Sequence, residues 1–316
     1  MKAWLFDRYG EPSVLRLEER PMPVVGPGEV LIEVLASGIN PSDVKNLAGL
    51  FKSPLPRVPG RDYAGVIAGG DGKAGEEVWG SGPAFGVARD GADAQYIVVP
   101  SSWISRKPSA LSMAEAATIG VPYLAAWWTL VETARIASGE TVLVTGVSGA
   151  VGGAATQIAH ARGARVIGAD RSKENPSGAD AMIDTTDQDL AQGVMALTSG
   201  KGVEVSLDTV GGTLFEASLK SLARGGRQLA IASSPQVVSF NLVDFYHGLK
   251  QLIGIDTMAL TGEQIAATMD ELRVQFENGK LHPPEIRTWP FERAVEAYEA
   301  VANHEPPLKH VLLVRG

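Results

Sequence analysis

Three glycines at three-residue spacing, Gly146, Gly149 and Gly152, separate a β-branched run at 141–145 from a stretch of small and apolar residues at 150–162. Glycines in this pattern let a pyrophosphate approach backbone N–H groups at the positive end of a helix, an approach that a Cβ would block. Gly149 and Gly152 fill the second and third places of the dinucleotide fingerprint. Val147 stands in the first, and Gly146 loosens the turn one residue earlier. Ser148, Ala150 and Val151 complete the loop that would meet the phosphates. Asp170 lies 18 residues beyond Gly152, at the end of a second apolar run. A carboxylate there accepts hydrogen bonds from an adenosine ribose diol. The competing reading is a glycine-rich helix start packed closely on a sheet, with no ligand.

Positioning these residues takes a strand, a tight turn, a helix and a second strand, complete in about thirty residues. Residues 141–160 contain no Asp, Glu, Lys or Arg and are long enough to span a bilayer. Four glycines with Thr145, Ser148, Thr156 and Gln157 instead indicate a nucleotide unit buried on both sides, not a membrane segment. The βα alternation continues with strands over 181–183, 203–207 and 227–232, helices over 190–197 and 214–222, and a helix followed by an edge strand within 241–255. Parallel strands with crossover helices require a doubly wound sheet. Upstream, the pattern is β-rich and loop-rich, with strands over 2–6, 15–19, 29–36, 63–68, 77–80 and 95–100. Helical spacing begins near 111 and runs to 136, opened by a Ser112-x-x-Glu115 capping box. Helices over 262–276 and 291–302 and a strand over 310–314 form a tail sized to return to the first domain. The domains are therefore expected at 1–122 with 265–316, and at 123–264.

At 316 residues, 45% hydrophobic and 20% charged, the chain has the composition of a globular protein of two domains. A net charge of −8 argues against a nucleic-acid partner held by its phosphates. Asp7 and Arg8 precede any apolar run, which argues against a secretory signal and leaves the cytoplasm as the default. There is no cysteine, so disulfides and cysteine-containing zinc sites are excluded. No two of the five histidines fall at metal-binding helical spacing, and no metal is expected.

Several motifs in order resemble the zinc-free quinone oxidoreductase and zeta-crystallin group of the medium-chain dehydrogenase/reductase superfamily. They are Gly38-Ile39-Asn40-Pro41-Ser42-Asp43, Val58-Pro59-Gly60-Arg61-Asp62-Tyr63-Ala64-Gly65, the fingerprint from Gly139 to Gln157, Asp208-Thr209-Val210-Gly211-Gly212, and Phe291-Glu292-Arg293-Ala294. The likeness covers the whole chain. It implies an α/β protein with a GroES-like β-rich catalytic domain and a Rossmann domain. Zinc-dependent relatives carry a Cys near Asn40, a His near Arg61 and a four-Cys loop after the region 80–91, and all of these are missing here.

The resemblance implies direct hydride transfer, without a Lewis acid, from NAD(P)H to a quinone or an α,β-unsaturated carbonyl. Asn40 is the family position facing nicotinamide and substrate, where its amide would donate to the oxygen on which negative charge develops; Asn also serves the N-P-S-D turn, and Asp43 suits a helix cap. Tyr123, Trp127 and Trp128 stand where relatives line the pocket, and aromatics at this spacing equally suit a core. Phe51 replaces a Tyr of many relatives on the substrate side and has no proton to give, so water or Tyr123 would supply it. Asp208, Val210 and Gly211, and Ile231, Ala232 and Ser233 after the next strand, would lie beside the nicotinamide and its ribose. Asp170 suits NADH, whereas Arg171, Ser172 and Lys173 could hold a 2′-phosphate; with the family habit, this leans to NADPH. Other readings are an NADPH-binding protein without turnover and a zinc-free alcohol dehydrogenase or enoyl reductase. A homodimer through the edge strand at 251–256 is expected.

Overall fold

The computed structural model describes residues 1–82, 84–232, 237–306 and 309–315. The chain divides into two compact units, Met1–Leu124 with Met258–Gly316, and Ala125–Thr257.

In the second unit the described residues form six parallel strands in the order Ala181–Asp184, Arg165–Asp170, Thr141–Thr145, Val203–Asp208, Leu222–Ala230 and Gln251–Gly254. Numbered along the chain this is 3-2-1-4-5-6, the arrangement of two mononucleotide-binding halves. Its order reverses between Thr141–Thr145 and Val203–Asp208, and the carboxyl ends of those two strands carry the glycine turn and Asp208. The middle strands are apolar along their length because helices cover the sheet. Leu143, Ile167, Ile183, Leu190, Val194 and Leu219 make the core on one side. The expected helix over 214–222 is shorter, Phe215–Lys220, and the next strand starts at Leu222 and runs through Gly225 and Gly226 rather than after them. Leu222 is 3% exposed and pairs with Val203, so burial of this side chain in the core starts the strand early.

The first unit is built around Glu29–Ile39. One side of this strand pairs antiparallel with Asp62–Gly70. The other is shared, Tyr96–Pro100 taking residues 29–33 and Lys309–Leu313 taking residues 36–39. Side chains alternate between buried and half-buried to Leu35, then every residue to Ile39 is buried. At Gly38 a Cβ would sit 1.9 Å from the Ala117 carbonyl oxygen, so the helical segment after Ser112 lies directly on the strand there. Ile286–Pro290, absent from the sequence reading, adds parallel to Lys309–Leu313.

The long helix expected from 111 to 136 is three pieces: Met113–Ala116, Gly120–Trp127 and a π-helical turn at Trp128–Thr133. The Ser112–Glu115 box closes as expected. The break follows from Asp62, whose two carboxylate oxygens accept the Val121 N–H at 3.0 and 3.1 Å, and from Pro122, which is tolerated only in a first helical turn. Among the described residues, no helix is long and apolar enough to cross a membrane.

Candidate active site

The glycine turn separates the roles of its three glycines. Gly146 has φ +63°, and a Cβ on it would lie 2.5 Å from Thr209 Oγ1, so it is here, and not at Val147, that a side chain is refused. Val147 is fully buried and packs toward Gly168. A Cβ on Gly152 would meet the Gly146 carbonyl oxygen at 2.4 Å and Val147 Cα at 2.6 Å, which fixes how closely the helix lies on the turn. Gly149, the residue before the twelve-residue helix Ala150–Ala161, has no such neighbour: the nearest atom to its Cβ would be the Gly146 oxygen at 3.2 Å. The N–H groups of Ala150, Val151 and Gly152 have no acceptor among the described residues. Three free donors at a helix N-terminus, beside a glycine whose missing side chain leaves room, fit a pyrophosphate.

Asp170 closes the same turn. Its Oδ2 accepts the Ser148 N–H at 3.0 Å and its Oδ1 the Arg171 N–H at 2.8 Å, leaving lone pairs on each oxygen for a ribose diol. Arg171, Ser172 and Lys173 are exposed. Asp208 ends the neighbouring strand. Its Oδ1 accepts from Thr145 Oγ1 at 2.7 Å, Gly211 N at 2.9 Å and Val210 N at 3.1 Å, while its buried Oδ2 has no partner among the described residues. Ile231 and Ala232 follow the strand Leu222–Ala230 and are half-buried, and Ser233 lies outside the described residues.

In the first unit Asn40 stands before the helix Pro41–Leu47, and its backbone N–H donates to Asp43 Oδ2 at 2.8 Å. Its side chain is held from both ends: Nδ2 donates to Asp62 Oδ2 at 2.9 Å and Oδ1 accepts from Lys309 Nζ at 2.7 Å. Asp62 Oδ1 accepts from Ser81 Oγ at 2.5 Å. Arg61 donates to Ser42 Oγ at 3.1 Å, and Asp93 accepts from Ser37 Oγ at 2.6 Å and the Tyr298 hydroxyl at 2.7 Å. All of these charged groups are buried. Burial pushes the Asp43 carboxyl up to about 7, against the pull of Arg61 and with the push of Asp62 and Asp93. It raises Asp93 as well, and it lowers Lys309, opposed by Asp62 and Asp43.

The aromatic candidates are placed differently. Tyr123 is 2% exposed, packs against Phe276 and donates its hydroxyl proton to the His282 carbonyl at 2.6 Å. That hydroxyl is the one the sequence reading gave, beside water, as a source of the proton. Trp127 is 6% exposed, and its Nε1 donates to Glu132 Oε1 at 3.1 Å across the π-helical turn. Phe51 is half-buried in the turn after the first helix. Lys309 and the part Asp62 plays were missed from sequence; Asp62 stands within a motif already singled out, whereas no local signal marks Lys309. No group of three or more histidines and carboxylates that could hold a metal occurs among the described residues.

Residues 26–109 match the alcohol dehydrogenase GroES-like domain, and residues 150–273 match the zinc-binding dehydrogenase family. A zinc-type alcohol dehydrogenase-like protein of Schizosaccharomyces pombe is 34% identical over 89% of this chain and 86% of its own. A Homo sapiens quinone oxidoreductase is 29% identical over 96% of this chain and 94% of its own. A mycobacterial protein solved in complex with NADPH superposes with a TM-score of 0.86 at 28% identity, covering 99% of both chains. With its GroES-like unit, its Rossmann sheet of order 3-2-1-4-5-6 and these relatives, the chain belongs to the medium-chain dehydrogenase/reductase family of NAD(P)H-dependent oxidoreductases.

Proposed function

We propose that the protein is a zinc-independent NAD(P)H-dependent reductase of quinones or α,β-unsaturated carbonyls. The observation that carries the reading is Asn40, whose amide is fixed by Asp62 and Lys309 and keeps one Nδ2 proton without a partner among the described residues. When bound, the nucleotide supplies a hydride to the electron-poor carbon of the acceptor. Asn40 hydrogen-bonds through its remaining amide N–H to the oxygen on which charge develops, without reorganisation because both ends of the amide are already tied, and the proton that completes the reduction comes from water. The backbone at Ala150–Gly152 and the Asp170 carboxylate bind and orient the dinucleotide, with Asp208, Val210, Gly211, Ile231 and Ala232 toward its nicotinamide end. Independence from zinc is supported by the absence of cysteine and, through the family resemblance, by Asn40 and Arg61 lying near the places where zinc-dependent relatives carry ligands.

Exposed Arg171 and Lys173 and the NADPH-bound relative support a lean to NADPH; Asp170 supports NADH, because its charge repels a 2′-phosphate. A homodimer through the edge strand Gln251–Gly254 is part of the proposal. Initial rates of NADPH and NADH oxidation by EDTA-treated protein with one quinone and one enone test the reading. Turnover that survives chelation is expected, with Arg171→Ala/Lys173→Ala lowering kcat/KM for NADPH about tenfold or more and leaving NADH unchanged. Saturable nucleotide binding without oxidation would indicate a nucleotide-binding protein, and alcohol oxidation in place of enone reduction would indicate a dehydrogenase.

A further inference from the structure

We propose that Lys309 is a positioning residue for the reduction, an internal cation that orients and polarises the Asn40 amide. The inference rests on the reductase reading above. An ammonium can only donate and a carboxylate can only accept, so Lys309 at Oδ1 and Asp62 at Nδ2 admit one orientation of the amide: a flip would set NH2 against NH3⁺ and oxygen against oxygen. Lys309 and Asn40 are 1% and 2% exposed, and Asp62 is fully buried, so water does not compete for these bonds. The backbone of Asn40 is tied as well, its N–H given to Asp43 and its carbonyl accepting the Asp43 N–H at 2.9 Å. Asp62 is itself braced by Ser81 Oγ and the Val121 N–H.

A polarised chain follows. The ammonium draws electron density toward Oδ1, which strengthens the amide N–H groups as donors, and the one not spent on Asp62 is left for a substrate oxygen. Burying a charge in the core is unfavourable for folding, and an apolar residue of similar length would pack there at lower cost. The cation faces the buried Asp62 and Asp43 carboxylates, and the atom to which it donates is the amide oxygen of Asn40. The terminal strand delivers it: His310 pairs with Ile39, which sets Lys309 beside Asn40 from 269 residues away.

The test is a double-mutant cycle on the full-length protein with a quinone acceptor, using Lys309→Met, Asn40→Ala and the pair. Lys309→Met is expected to lower kcat about 10- to 100-fold, with the dissociation constants of both nucleotides unchanged; Asn40→Ala is expected to cost about 100-fold, and the pair no more than Asn40→Ala alone. Lys309→Gln, which can still donate to Oδ1 without charge, should fall between wild type and Lys309→Met, and it carries the same comparison if Lys309→Met does not fold. Wild-type turnover with an undiminished kcat in the folded lysine variants, or losses that multiply in the pair, overturns the role of Lys309 and leaves the reductase reading standing. No nucleotide oxidation by the wild type with any quinone or enone overturns both.

Discussion

Asp43 shows what a buried charge cluster costs at the level of one side chain. Its carboxyl is fully enclosed, faces Arg61, Asp62 and Asp93, and titrates near 7 in the fold against an ordinary value of 3.8. Because the folded value is the higher one, the native state holds a proton between about pH 4 and 7 that the unfolded chain has released. The stability this gives is complete below about 3.8 and is lost as pH rises through about 7. Asp43→Asn keeps an acceptor for the Asn40 N–H and removes the titration. The variant is therefore expected to gain on wild type by several degrees in Tm between pH 5 and pH 8.5, on the order of a few kcal/mol. Parallel Tm curves for the two proteins across that range would show that Asp43 does not titrate there. Residues at this scale were unevenly legible. Gly146, Gly149, Gly152 and Asp170 share one βαβ unit, so local spacing finds them. Lys309 and Asp62 meet Asn40 only through strand pairing, across 269 and 22 residues, and no local pattern encodes such a meeting.

At the scale of elements, the glycine helix separates folding from binding. Gly152 has no room for a Cβ against the Gly146 oxygen and Val147 Cα, both backbone atoms that cannot swing aside. Gly149 has φ −76° and a single 3.2 Å neighbour. Gly152→Ala should therefore destabilise the protein by about 1 to 3 kcal/mol, whereas Gly149→Ala should stay within about 1 kcal/mol of wild type yet weaken nucleotide binding tenfold or more. Thermal melts paired with nucleotide titrations check both, and a Gly149→Ala protein that binds normally would remove the phosphate from this turn. Strands and helices of the doubly wound sheet were readable because each is a continuous apolar run or a strongly periodic one. The helix expected over 111–136 misled, since its apolar spacing persists through a break imposed by Asp62, 59 residues before Val121. Ile286–Pro290 escaped notice because Arg287 and Pro290 mask a short strand that exists only by pairing with the terminal one.

For the whole molecule, the open question of assembly turns on one sheet edge. Among the described residues Gln251–Gly254 is bonded to Leu222–Ala230 on one side only, and an unpaired edge of a buried-type parallel sheet is a template for another strand. Around it Leu242, Val243, Tyr246, Leu249 and Leu252 are between 39% and 64% exposed, more apolar surface in one segment than a monomer ordinarily leaves in water. A second copy related by a two-fold axis would add the same strand antiparallel, joining two six-stranded sheets into one and covering these side chains in both copies. Light scattering on the purified protein is expected to give twice the 33.3 kDa of a single chain. Leu252→Lys, which places a charge on the edge without touching the glycine turn or the Asn40 network, should shift it to monomer while nucleotide binding persists. A wild-type monomer at micromolar concentration would rule out the pairing. A dimer unaffected by Leu252→Lys would place the contact on another face and leave the apolar residues of 242–252 to some other partner.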